Sequence, residues 1–102
     1  MDKKIALKNA RNYVKHLISD RHYDIKEAFI FGSYARNSFN EDSDIDIAII
    51  LKGYKNSVQE LSNLMRLRRD FDLRIEPHPI AEEDFNQNNP FAKEVKRGLK
   101  II

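Results

Sequence analysis

Two short apolar runs bracket a polar segment in the first half of the chain: Ala28-Phe29-Ile30-Phe31, and Ile45 to Leu51. Both are rich in β-branched and aromatic residues and too short for ordinary helices, so they predict strands over 25–31 and 44–51. The segment between them opens on Gly32-Ser33 and closes on Asp44-Ile45-Asp46, with twelve residues from the glycine to the first acid. A turn fit for a phosphate and a pair of acids thus lie at the ends of two strands. That combination points to metal-dependent chemistry on a nucleotide.

The remaining elements follow from periodicity and punctuation. Ala6, Leu7, Ala10, Tyr13, Val14, Leu17 and Ile18 recur at helical spacing, which predicts an amphipathic helix over 3–19. Tyr34 to Asn37 allows a brief helix. Ser57-Val58-Gln59-Glu60 matches a capping box. The helix it opens would set Val58, Leu61, Leu64, Met65 and Arg68 on one face. Phe71 to Glu76 alternates and predicts a third strand, stopped by Pro77 and Pro79. Asn89-Pro90 starts a last helix, Gly98 closes it, and Leu99 to Ile102 allows an edge strand. The expected fold class is α/β (α+β): a small mixed sheet of three or four strands with helices packed on one side.

At 102 residues the chain is expected to form one domain, 1–102. It contains no cysteine, which excludes disulfides and thiolate metal sites. No apolar stretch reaches the ~18–20 residues of a membrane span, and the charged N-terminal segment does not resemble a signal peptide. A cytoplasmic location is expected. The net charge of +2 favours no partner class, and nucleic acid is not indicated. Arg66, Arg68, Arg69 and Arg74 lie close in sequence, as a solvated helix face or a contact for an acidic ligand.

Side chains at i and i+2 of a strand share a face, so Asp44 and Asp46 project together, with Cα atoms roughly 6.5 Å apart. Two like charges so placed resist ionisation. Divalent cations remove that conflict, and hard oxygen donors suit magnesium. A third acid from a neighbouring strand would complete a two-metal site. Asp72, at the head of FDLRIEP, is the first candidate and Glu76 the second. Arg74 would bind phosphate or pair with the acids. His78, between two prolines, reads as a surface residue or as one carried to the site by a rigid loop.

Gly32 permits positive φ or close approach to a ligand. Ser33 would follow at the start of the short helix, where exposed N–H groups favour an anion; an ordinary helix cap is the plainer reading. Arg36 lies one turn on. Arg11 and His16 match an R-x4-H spacing used by HEPN ribonucleases, but positions i and i+5 align poorly on a helix, so the match is read as coincidence.

GSYARNSFNEDSDIDIAII, followed by FDLRIEP, resembles the signature of the polymerase-β-type nucleotidyltransferase superfamily over about residues 25–80. The short chain is similar to the minimal nucleotidyltransferases of bacteria and archaea, often encoded with an all-helical HEPN partner as toxin–antitoxin pairs. The resemblance implies that Gly32, Ser33 and Arg36 contact the triphosphate. It implies that Asp44, Asp46 and Asp72 form the catalytic set and hold two Mg2+ ions. The implied reaction moves AMP from ATP onto an acceptor hydroxyl, a tyrosine of the HEPN partner, and releases pyrophosphate. The alternative is an antitoxin-like module that neutralises its partner by contact alone. The chain is too small to supply an obvious second substrate domain, so the acceptor site is expected from another chain or a loop, which favours a protein partner or a homo- or hetero-oligomer. One departure stands out: many members have glycine after the arginine, where this chain has Asn37.

Overall fold

The computed structural model describes residues 3–40, 42–54 and 58–102. The described elements run α1 (Lys3–Ser19), β1 (Ile25–Phe31), α2 (Ser33–Arg36), β2 (Ile45–Leu51), α3 (Val58–Leu67), β3 (Ile75–Ala81), α4 (Pro90–Lys96) and β4 (Leu99–Lys100), with short 3-10 turns at Arg68–Asp70 and Glu82–Asp84. The strands form one mixed sheet in the order β3-β2-β1-β4. β1 pairs antiparallel with β2 and β4, while β2 and β3 run parallel, joined through α3.

Alternation divides the sheet residues between two faces. Ala28, Ile30, Ile45, Ile47, Ile49, Leu51 and Ile75 point to one face, under α1 and α3. There Ala6, Ala10, Tyr13, Val14 and Leu17 of α1 are buried, and the Tyr13 hydroxyl donates to the Leu64 carbonyl at 2.7 Å, tying α1 to α3. Phe29, Phe31, Ala48, Ile50 and Ile80 point to the other face and pack with Val95 and Phe91 of α4. Helices on one side therefore describes α1 and α3, and α4 covers part of the second face.

Three other expectations change. The third strand is Ile75–Ala81, not Phe71 to Glu76, and it contains Pro77 and Pro79. β3 is an edge strand. Residues two apart turn their backbone nitrogens to the same side, so both prolines face the open edge and no ladder bond is lost. Phe71 to Arg74 instead form a turn, in which the Arg74 N–H donates to Asp72 Oδ1 at 3.0 Å and the Ile75 N–H to the Asp72 carbonyl. On α3 only Leu64 is fully buried, whereas Val58 and Leu61 are exposed. Ser57, the expected cap of α3, lies outside the described residues.

At the other end of the chain the expected start holds: Asn89 caps α4 by accepting from the Phe91 and Ala92 N–H groups. Asn37 ends α2 at φ 60°, ψ 27°, the left-handed conformation that asparagine tolerates better than other non-glycine residues. The departure from glycine thus leaves the turn after α2 intact.

Candidate active site

The parallel register of β2 and β3 fixes the centre of the site. Asp46 is the Cα partner of Glu76, and Ala48 that of His78. All four residues fall on the face that carries α4, away from the core under α1 and α3. Asp46, Glu76 and His78 each offer a donor atom within 4.8 Å of the other two. His78 Nε2 lies 3.0 Å from Asp46 Oδ1, and its ring packs edge-on against Phe31, centroids 5.0 Å apart.

Asp44 precedes β2, two residues before Asp46. The Glu76 carboxyl is pushed above its usual range, first by burial, then by its nearness to Asp44 and the charges of Asp46 and Asp44, with His78 opposing. A turn built by Asn40 and Ser43, in which the Asn40 N–H donates to Ser43 Oγ at 2.9 Å, leads the chain into Asp44.

Gly32 closes the arrangement from β1. Its backbone sits at φ 74°, ψ −149°, a combination open essentially to glycine alone. A Cβ at this position would fall on Asp46 Oδ2. The close approach of backbone to carboxylate, more than the turn itself, demands the glycine. Ser33 is the first residue of α2 and is partly buried, and Arg36 is exposed. A cleft of about 310 Å³ runs from Gly32 past Arg36 to Glu94, Arg97 and Gly98. A second, of about 490 Å³, passes Glu76 and His78 towards Met65, Tyr54 and Phe91. Another, about 760 Å³, lies beyond Pro79 against the Asn86–Asn89 loop, lined by Glu83 and Asp84 but by none of Asp44, Asp46 and Glu76.

Asp72 has different neighbours. Its carboxylate accepts from Arg74 Nη2 at 2.8 Å, from Arg74 Nε at 3.0 Å and from Asn9 Nδ2 at 3.0 Å. Burial alone would push the Asp72 carboxyl up, but these bonds outweigh it and hold the value down at about 2. Arg74 also donates to the Tyr34 hydroxyl at 2.8 Å. The Asp72–Arg74 pair thus ties α1 and α2 to the turn before β3. The other arginines diverge: Arg66 bonds Asn63, Arg68 bonds the Ile75 carbonyl, and Arg69 is exposed. His16 of α1 pairs with Asp20, just past the helix end.

Only Ile75 and Ile80 of the Ile75–Ile80 segment favour β structure, so composition gave Glu76 no preference over Asp72.

The model of the family described as polymerase beta, nucleotidyltransferase, matches residues 12–101. The chain belongs to this family. A crystal structure of a candidate nucleotidyltransferase from Sulfolobus solfataricus superposes with a TM-score of 0.64 at 28% identity, covering 80% of this chain and 72% of that one. None of the curated proteins searched matches the sequence. As a polymerase beta nucleotidyltransferase domain, the chain has nucleotidyl transfer as its family chemistry, with a nucleotide as substrate. Among the described residues, no helix is long and apolar enough to cross a membrane.

Proposed function

We propose that this nucleotidyltransferase domain moves a nucleoside monophosphate, AMP from ATP, onto an acceptor hydroxyl and releases pyrophosphate. The observation that carries the proposal is the convergence of Asp46, Glu76 and His78 on one face of the sheet beside Gly32, with Asp44 just ahead of β2. Three carboxylates supply hard oxygen donors, and the missing Cβ at Gly32 leaves the Asp46 carboxylate open on that side, so the residues fit divalent cations. When bound, Mg2+ would acidify the acceptor hydroxyl and neutralise the leaving pyrophosphate.

In this reading Asp44, Asp46 and Glu76 hold the metal, and Glu76 takes the place first expected for Asp72. Support comes from the opposed register of Asp46 and Glu76 and from the commitment of Asp72 to Arg74 and Asn9. Gly32 and Ser33 let the triphosphate approach the acids, with Arg36 as a cationic contact in the adjoining cleft. Glu76, whose carboxyl is raised above its ordinary value, is proposed, in its ionised form, to take the acceptor proton. Asp72 and Arg74 keep α1, α2 and β3 in register.

The acceptor is proposed to lie on another chain, a tyrosine of an all-helical HEPN partner, which would make the domain the antitoxin of a toxin–antitoxin pair acting in the cytoplasm. That step rests on the resemblance to minimal nucleotidyltransferases. The test is incubation with labelled ATP, Mg2+ and the neighbouring gene's product. Transfer of label to the partner, lost in Asp44→Ala plus Asp46→Ala, is the expected result. Neutralisation of the partner that survives those substitutions, with no transfer, would replace enzyme by contact inhibitor.

A further inference from the structure

We propose that His78 is a metal ligand that sets the ion preference of this site, drawing it towards later divalent first-row transition ions such as Co2+ rather than Mg2+ alone. The inference rests on the reading of Asp46 and Glu76 as cation ligands. Glu76 and His78 are two apart on β3 and share its face, directly beside Asp46 on β2. The three donor atoms lie within 4.8 Å of one another, close to the span of two metal–ligand bonds of roughly 2.0–2.2 Å to a shared ion. His78 already aims Nε2 at the Asp46 carboxylate, 3.0 Å away.

The imidazole is held for this task. Phe31 packs edge-on against it at 5.0 Å and Phe91 lies at 6.1 Å, with the two phenyl rings 5.3 Å apart. Pro77 and Pro79 flank it in the chain, and each fixes its own φ. A ring so restrained loses little further freedom on binding. An all-oxygen set serves Mg2+, which keeps to oxygen ligands. Adding one imidazole nitrogen favours later, softer ions.

Co2+, Mn2+ and Mg2+ are each titrated into the full chain and into His78→Gln, His78→Phe and Asp46→Asn, with folding checked by circular dichroism. His78→Phe keeps an aromatic ring between Phe31 and Phe91 but offers no donor, and His78→Gln offers an amide oxygen should the larger ring disturb the fold. Both are expected to weaken Co2+ binding roughly tenfold or more while Mg2+ binding changes little. The Co2+-loaded wild type should also show a hyperfine-shifted imidazole N–H resonance that both variants lack, a signature of coordination that a merely structural histidine would not give. Equal Co2+ affinity in wild type and the His78 variants, without that resonance, would overturn the role of His78 while loss of binding in Asp46→Asn kept the carboxylate site. Absence of saturable binding of any of the three ions by the wild type would overturn the metal site itself.

Discussion

Asp46 and Glu76 stand opposite each other across the parallel pair of β2 and β3. Their closeness has a measurable cost in the metal-free protein. The Glu76 pKa is raised in the fold from its ordinary 4.5, with burial the largest cause. A raised pKa contributes stability below the unfolded value that is lost as pH rises through the folded one. The metal-free wild type should therefore lose stability relative to Glu76→Gln as pH rises from about 4.5 through the raised Glu76 value. Mg2+ should reverse that loss in the wild type by binding the ionised acids. Thermal melts of both proteins across this range, with and without Mg2+, check it; identical pH profiles would contradict it.

Asp72 carries the opposite sign. Its carboxyl is held at about 2, below the ordinary 3.8, so it contributes stability that is full above pH 3.8 and is lost as pH falls through about 2. Asp72→Asn is expected to cost about 2 kcal/mol at neutral pH. The gap to wild type should narrow below about pH 3, as measured by urea unfolding at stepped pH.

Gly32→Ala tests the contact between β1 and the acids. The residue must hold φ 74° and its new methyl group must share space with Asp46 Oδ2. The backbone strain costs roughly 1–3 kcal/mol. Displacement of the Asp46 carboxylate by the order of an ångström should slow transfer by about 100-fold. Single-turnover rates on folded protein separate the two effects, and a rate equal to wild type would show that Asp46 does not depend on that approach.

Asn37 offers a control outside the acids. Asn37→Gly should leave stability unchanged or slightly raised, since the residue occupies the left-handed region. Asn37→Val should cost about 1–2 kcal/mol. Chemical denaturation of the two variants gives both values.

Much of this was legible in the sequence. The helical period of α1, the two strands around Gly32 and the Asn89-Pro90 start of α4 all read directly, because each depends on local pattern. The pairing of Asp44 with Asp46 on one face rested on a strand starting at residue 44, whereas β2 begins at Ile45. The third acid depended on where β3 starts and whether it may hold proline. That is decided by its edge position, a tertiary fact invisible in Phe71 to Glu76 alone. His78 stayed divided between a surface residue and one carried to the site for the same reason: its place beside Asp46 follows from the parallel register, which no periodicity reports. Val58 and Leu61 show the converse, apolar residues at helical spacing on a helix that only partly faces the core.

The central claim is that Glu76, not Asp72, completes the metal site with Asp44 and Asp46. The most direct measurement is Mg2+-dependent ATP binding by calorimetry, run side by side on Glu76→Gln and Asp72→Asn after folding of each is confirmed. Binding lost in Glu76→Gln and retained in folded Asp72→Asn is the predicted result. Binding retained in Glu76→Gln and lost in folded Asp72→Asn would contradict it.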